Sequence, residues 1–281
     1  MATDTRRVVQ NRTESIRPGN GDEIKLAPGV RVREFSGKAC GAVGFSTGSA
    51  VFDPGAVLPY HKHSISEAIT VLDGEARIEV EGRSYLIAPF DCLHVPRGTA
   101  HQVANGSNDT TLVALSAFAS EKPDREYVEP RYVLDERGAS NPLPGDPEHI
   151  VRFSQAEMYE LSEDAEFCDL FAARFGAVGI CGGYGRFQPG ASLPCHIHQY
   201  DESITIVEGE AVCLVMGNRY LLSGCDTAFV PDGRPHRFLN HSSTPMAMVW
   251  VYAGSEPERT LVSPEYCEGS LVWPASSIVR D

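Results

Sequence analysis

The sequence lacks several features that would assign it to common classes of protein. No apolar run approaches the roughly 20 residues that a membrane-spanning helix needs, and residues 1–24 contain no apolar stretch like that of a secretory signal. Lys and Arg are not clustered, and the formal net charge is −14, which argues against binding to duplex nucleic acid or to a membrane surface. We therefore expect a cytoplasmic protein that binds neither nucleic acids nor membranes.

The eight cysteines include no CxxC pair. In a chain without an export signal we expect them to be reduced and mostly buried as small apolar side chains. Cys195 directly precedes His196, but neighbouring residues on a strand point to opposite faces. We therefore do not expect Cys195 to bind a metal together with that histidine.

What the sequence does contain is an internal repeat with a constant offset of 135 residues, the separation of His61 and His196. HKHSISEAITVLDG, which begins at His61, recurs as HIHQYDESITIVEG, and the same offset relates His101 to His236. The alignment of residues 41–105 needs no gap. The 281 residues therefore predict two related domains, an N-terminal one at 1–135 with an N-terminal arm and a C-terminal one at 136–281 with a C-terminal tail.

Both copies are rich in short segments typical of β-strands. ARIEV (76–80), SYLIA (84–88) and HQVAN (101–105) alternate or are β-branched, and turn residues separate them. Short strands at regular spacing indicate a β-sandwich or a barrel. Between the copies, residues 154–163 suggest a short helix, and the tail after Ser255 has no first-copy counterpart that we can align.

The two copies differ on one strand. Arg77 and Glu79 of the first copy correspond to Val212 and Leu214 of the second, so this strand is apolar on both faces in the second copy alone. We expect its outer face to be buried against another domain or subunit. A homodimer is the oligomeric state that this pattern favours.

Histidines and glutamates recur at a spacing that suits a metal ion. His61 and His63 are two residues apart and point the same way on a strand, while Glu67 and His101 follow after turns. Three imidazoles and one carboxylate suit Fe(II), Mn(II), Ni(II), Cu(II), Co(II) or Zn(II) and leave positions open for other ligands. The second copy repeats the set, so we expect up to two ions per chain.

At these residues the sequence resembles the cupin superfamily. Residues 55–74 fit its pattern G-x5-H-x-H-x3-E-x6-G and residues 96–105 fit P-x-G-x2-H-x3-N, and residues 190–209 and 231–240 fit both again. A glycine that the family usually has six residues before the proline is replaced by Phe90 in the first copy and by Cys225 in the second. The resemblance implies a bicupin, an all-β chain of two tandem antiparallel β-barrels (a double-stranded β-helix or jelly roll). The implied metal ligands are His61, His63, Glu67, His101, His196, His198, Glu202 and His236.

The metal centre allows several reactions. We expect a non-haem dioxygenase with Fe(II) that combines O2 with a small organic substrate, such as an enol, a diketone, a catechol or a similar aromatic compound. Resemblance to quercetinase-like cupins suggests Glu67 and Glu202 as catalytic bases. The alternatives are a non-oxidative decarboxylase, isomerase or hydrolase, and a small-molecule-binding cupin without turnover.

The expected lining of the barrels separates these reactions only weakly. Ile69 is predicted to line the first barrel, and an apolar lining favours an organic substrate over a short diacid. No pair of arginines is predicted to point inward and hold a dicarboxylate. Arg97, Arg234 and Arg237 lie near the motifs and are the best arginine candidates.

Overall fold

Strands dominate the fold because apolar side chains alternate along short segments that turn residues separate. The computed structural model describes residues 12–274. The three segments predicted as strands are strands at Ala76–Val80, Arg83–Ile87 and His101–Asn105. The prediction of an all-β fold is confirmed.

Residues 12–151 form fourteen strands and one 3-10 helix, Lys38–Cys40. The strands are β1 (Ser15–Arg17), β2 (Ile24–Ala27), β3 (Val30–Ser36), β4 (Ser46–Phe52), β5 (Val57–Lys62), β6 (Glu67–Asp73), β7 (Ala76–Val80), β8 (Arg83–Ile87), β9 (Cys92–Val95), β10 (His101–Asn105), β11 (Leu112–Phe118), β12 (Glu126–Tyr127), β13 (Asp135–Gly138) and β14 (His149–Val151).

Residues 152–274 form eleven strands, two 3-10 helices (Phe153–Gln155 and Ala173–Phe175) and one α-helix, α1 (Pro264–Glu268). The strands are β15 (Tyr159–Ser162), β16 (Ala165–Phe171), β17 (Cys181–Phe187), β18 (His196–Ile197), β19 (Glu202–Glu208), β20 (Glu210–Val215), β21 (Asn218–Ser223), β22 (Thr227–Val230), β23 (His236–Leu239), β24 (Met246–Tyr252) and β25 (Thr260–Leu261).

Each barrel consists of two sheets. In the first barrel the strand orders are β14-β9-β6-β11-β4-β3-β2 and β12-β5-β10-β7-β8-β13. In the second they are β1-β22-β19-β24-β17-β16-β15 and β21-β20-β23-β18-β25. β1 therefore completes a sheet of the second barrel and β14 a sheet of the first, so each barrel takes an edge strand from the other half of the chain. The domain boundary at residues 135/136 stays a prediction.

Three apolar clusters hold the barrels together. One fills the interior of each barrel, and the third lies between them. In the third, Phe45 of the first half and Phe229 of the second stack with their ring centroids 6.5 Å apart. The hydroxyl of Ser203 also lies 3.0 Å from that of Ser36 and 2.9 Å from that of Thr47, so hydrogen bonds as well as apolar contacts join the two barrels.

Two sequence predictions are wrong. Residues 154–163 form the end of a 3-10 helix and strand β15 instead of a helix, because β15 pairs antiparallel with β16. The expectation that all eight cysteines are reduced also fails. Cys195 and Cys267 form a disulfide, with their Cα atoms 6.0 Å apart, and the other six are free thiols.

The C-terminal tail packs on the second barrel of its own chain. β25 pairs with β18, and α1 lies against β20 and β23. On the outer face of β20, Val212 is only 3% exposed. The chain's own tail thus covers part of the apolar outer face that suggested a homodimer, and dimerisation stays a prediction. Within residues 12–274, no helix has the length and apolar character to cross a membrane.

Candidate metal centres

The first predicted ligand set comes together at one end of the first barrel. His61 lies on β5 and faces His101, the first residue of β10. Glu67 begins β6 in the opposite sheet, and His63 lies in the loop between β5 and β6. All four side chains are buried, and their donor atoms lie within 4.8 Å of one another.

The second predicted set has the same arrangement. His196 on β18 faces His236 on β23, and Glu202 begins β19. Together with His198 they form a second buried group whose donor atoms also lie within 4.8 Å of one another. The structure therefore brings all eight predicted side chains into two groups of four.

Backbone carbonyls orient all six imidazoles. In each ring Nδ1 lies against a carbonyl oxygen, to which the protonated Nδ1 donates, so Nε2 is left with its lone pair for a metal ion. The pairs are His61 with Pro59 (2.8 Å), His63 with Asp124, His101 with Thr99 (3.2 Å), His196 with Pro194 (2.8 Å), His198 with Glu258, and His236 with Arg234 (2.8 Å).

The inward-facing donor atoms fit a divalent ion. Glu202 Oε2 lies 2.7 Å from His236 Nε2 and 3.3 Å from His198 Nε2, yet none of these three buried atoms has a hydrogen-bond partner among the described residues. His63 Nε2, 3.1 Å from Glu67 Oε2, is unpartnered in the same way. Unpaired buried polar atoms are costly, and an ion shared by each set would satisfy them.

The pKa values of His61, His196 and Glu67 are shifted towards the protonation states that metal binding requires. Burial lowers the pKa of His61 to about 3, with the neighbouring His101 acting in the same direction. Burial and the nearby His236 likewise hold the pKa of His196 well below its usual value. Burial alone would raise the pKa of Glu67, but His63 and His101 outweigh burial and lower it well below the usual range. Neutral imidazoles beside an ionised carboxylate are the ligating forms.

The interior of the first barrel contains a cavity of about 200 Å³ that reaches Glu67. Along β11 the inward-facing residues Phe118, Ser116 and Ala114 form successive layers away from the metal end, and all three line the cavity. Ile69 also lines it, as predicted. The first metal group thus borders a space large enough for a small organic molecule.

Side chains fill the corresponding interior of the second barrel. On β24, Met248, Trp250 and Tyr252 occupy the places that Ala114, Ser116 and Phe118 have on β11, and all three are part of the barrel's core. A Cβ atom on Gly183 would lie 2.6 Å from the Trp250 ring, so the glycine makes room for the indole. Tyr252 packs against His198 with ring centroids 4.4 Å apart. The second metal group is therefore enclosed by aromatic side chains.

An arginine that the sequence reasoning missed lines the first cavity. Arg125 precedes β12, its Nε is buried without a hydrogen-bond partner, and it forms no ion pair with any of residues 12–274. Burial lowers the pKa of the nearby His63 and the Arg125 charge acts in the same direction, but Glu67 and the Asp124 carbonyl outweigh both, so that this pKa lies above its ordinary value.

The arginines suggested from the sequence have other environments. Arg97 is exposed. Arg234 pairs with Glu14 at 3.0 Å, and Arg237 pairs with Glu268 at 2.6 Å.

A second, shorter repeat would have pointed to Arg125. KPDREYV (122–128) and EPERTLV (256–262) share a Pro, an acidic residue, an Arg and a Val at an offset of 134 residues. In both copies the acidic residue's carbonyl accepts from a ligand imidazole, as Asp124 does from His63 and Glu258 from His198. The tail after Ser255 therefore does have a counterpart in the first half, contrary to our expectation.

Comparison with known proteins agrees with this architecture. The cupin domain family matches residues 48–118 and again residues 183–252, the two segments that contain the barrel strands around each metal group. The chain belongs to the cupin family and is a bicupin with two His/Glu groups suited to divalent metal ions. A search of curated protein sequences found no match.

Solved structures of oxalate decarboxylases share the fold. The enzyme from Lactobacillus farciminis, solved as a formate complex, is 16% identical with a TM-score of 0.70, and the match covers 88% of each chain. The Bacillus subtilis enzyme at pH 4.6 is 16% identical with a TM-score of 0.69, over 88% of this chain and 78% of that one. A further structure of the Bacillus enzyme, from work on its Mn(II) centres, is 16% identical with a TM-score of 0.70, over 88% and 79%.

Proposed function

We propose that the chain is a metal-dependent enzyme that carries out a non-oxidative reaction, such as decarboxylation, on a small carboxylate in the first barrel. The observation that carries this proposal is the asymmetry between the barrels. The first metal group borders a cavity lined by Arg125, which has no ion-pair partner among residues 12–274, whereas aromatic side chains enclose the second. We assign to the second group a structural role.

Arg125 gives the substrate its chemical class. A guanidinium with a buried, unpartnered donor beside a cavity is suited to bind a carboxylate, often through two parallel hydrogen bonds. A metal held by His61, His63, Glu67 and His101 would act as a Lewis acid on an oxygen of the bound acid. Glu67, ionised and buried next to the cavity, is the first candidate for a group that takes up or returns a proton during the reaction.

The proposed metal is one divalent ion per group. Mn(II) is the first ion to test, because oxalate decarboxylase of the same fold has Mn(II) centres, and three imidazoles with one carboxylate accept it as well as Fe(II).

A cytoplasmic location is retained as a proposal, although the disulfide between Cys195 and Cys267 is a bond more common in oxidising compartments.

An Fe(II)-dependent dioxygenase reaction with O2 is the second candidate. The apolar lining of the cavity, which includes Ile69, Ala114 and Phe118, is compatible with an aromatic or enolic substrate. Because core side chains fill the barrel interior beside Glu202, within this proposal Glu67 is the catalytic glutamate in either reaction.

The test compares matched variants of the two groups. His61→Ala and His196→Ala would be prepared with Mn(II) or with Fe(II), and metal content, CO2 release and O2 uptake would be measured with short carboxylic acids. We expect each variant to lose about one metal ion per chain and only His61→Ala to lose CO2 release. Activity that depends on His196 alone would refute the assignment to the first barrel. O2 uptake that matches turnover would favour the dioxygenase.

A further inference from the structure

The first cavity is polar at one end and apolar at the other. At the metal end, β4, β11 and β6 bring Ser46, Phe118 and Glu67 together in one layer, and Arg125 lies at the same end. Towards the other end, the layers of the same strands carry small and apolar side chains, among them Ala50, Phe52, Ile69 and Ala114. A molecule that fills this space therefore meets charge at one end and hydrocarbon along the rest.

Ser46 provides a second, independent sign of a ligand at the polar end. Its residue is only 3% exposed, its hydroxyl has no hydrogen-bond partner within residues 12–274, and it lines the cavity. A buried hydroxyl without a partner is costly. A carboxylate or hydroxyl oxygen of a bound molecule would accept its hydrogen bond.

The charged groups beside the apolar part do not suit a second carboxylate. Glu34 is among the lining residues, but it is acidic and exposed to solvent. Arg33 also lines the cavity, but its guanidinium donates to the carbonyl oxygens of Gly19 and Gly21 and pairs with Glu23 at 3.1 Å. A carboxylate in contact with Ile69 and its neighbours would lose its hydration without a partner.

We propose that the first barrel binds a monocarboxylic acid with an apolar body about the size of a benzene ring, held by Arg125 and Ser46 at the metal end and by the apolar layers beyond. This inference rests on the proposed function, since it names the substrate class of the same site. The size follows from the volume. An apolar cavity of roughly 150 Å³ accommodates benzene, and this cavity measures about 200 Å³. Oxalate has no apolar part and leaves the inner layers without contact.

The second barrel indicates a substitution that would fill this cavity. Trp250 stands where the first barrel has Ser116, and its ring packs over Gly183. In the first barrel Gly48 faces Ser116 on the neighbouring strand in the same way. Ser116→Trp is therefore expected to place an indole in the apolar part of the cavity without touching the metal ligands.

The test is calorimetric titration of the Mn(II)-loaded full-length protein with benzoate and with oxalate, together with metal analysis. We expect benzoate to bind at least tenfold more tightly than oxalate. We expect Ser116→Trp to weaken benzoate binding at least tenfold, with oxalate affinity and metal content unchanged. Ser116→Thr, which adds one methyl group, is the control for folding and is expected to keep most of the benzoate affinity.

The other outcomes separate this inference from the proposed function. Tighter binding of oxalate than of benzoate, or equal weakening of both acids by Ser116→Trp, would overturn the inference and leave the carboxylate enzyme in place. Benzoate binding that Ser116→Trp does not change would show that benzoate binds elsewhere, and would also overturn it. Failure of the metal-loaded protein to bind either acid would overturn both the inference and the proposed function.

Discussion

Removal of the Arg125 charge is the most direct perturbation of the proposed carboxylate site. Arg125→Met keeps the length and the apolar part of the side chain and deletes the guanidinium. Because Arg125 forms no ion pair with a described residue, the free energy of unfolding should change by less than about 0.5 kcal/mol. The substitution therefore isolates the contribution of Arg125 to ligand binding.

The expected effect on binding follows from the chemistry of the lost contact. A hydrogen bond to a charged group contributes about 1.5–3 kcal/mol, which corresponds to a loss of affinity of about 10- to 100-fold. Arg125→Lys retains the positive charge but not the planar guanidinium with its paired donors. It should therefore lose only part of the affinity that Arg125→Met loses. The assay is the dissociation constant of benzoate for the Mn(II)-loaded protein, measured by calorimetry at constant ionic strength.

The chain provides its own control in Arg259, which occupies the same place in the shorter repeat of the second barrel. Arg259→Met removes an equal charge from the second barrel, where side chains fill the interior. It should leave the affinity for benzoate within about twofold of the wild type. A dissociation constant that Arg125→Met leaves unchanged, or that Arg259→Met raises equally, would refute the assignment of the carboxylate site.

Three further predictions concern stability and the second barrel. His94 is buried with both ring nitrogens unpartnered among the described residues, and burial lowers its pKa to about 4. The unfolded chain therefore takes up this proton first as the pH falls below 6.5, and the free energy of unfolding should drop by about 3 kcal/mol between pH 6.5 and 4. Urea titrations of His94→Leu should lack this part of the decrease, and an unchanged pH dependence would contradict the reasoning. Reduction of the Cys195–Cys267 disulfide, which closes a loop with a sequence separation of 72, should lower stability by about 4 kcal/mol. A non-reducing peptide map that finds both thiols free would remove the basis of that value. Trp250→Ala should cost about 3–5 kcal/mol in unfolding free energy yet leave benzoate affinity unchanged, and a parallel loss of binding would indicate that the second barrel takes part.

The sequence by itself determined the duplication, the all-β architecture and the two groups of four candidate metal ligands. These follow from local patterns. Residues two apart on a strand share a face, and a strand–turn–strand unit returns Glu67 beside His61 and His63. The second copy repeats the spacing from His196 onwards, and the structure brings the corresponding side chains of each copy together.

Only the tertiary structure decided how the two barrels differ. A cavity beside the first metal group and a filled interior in the second depend on which side chains meet across strands distant in sequence, as Ser116 meets Gly48 and Trp250 meets Gly183. The tail's contact with its own barrel, the pairing of Cys195 with Cys267 and the position of Arg125 arise in the same way. Ligand spacing is a short-range property that a repeat makes visible in sequence, whereas the shape of an interior is the sum of long-range contacts that no single segment contains.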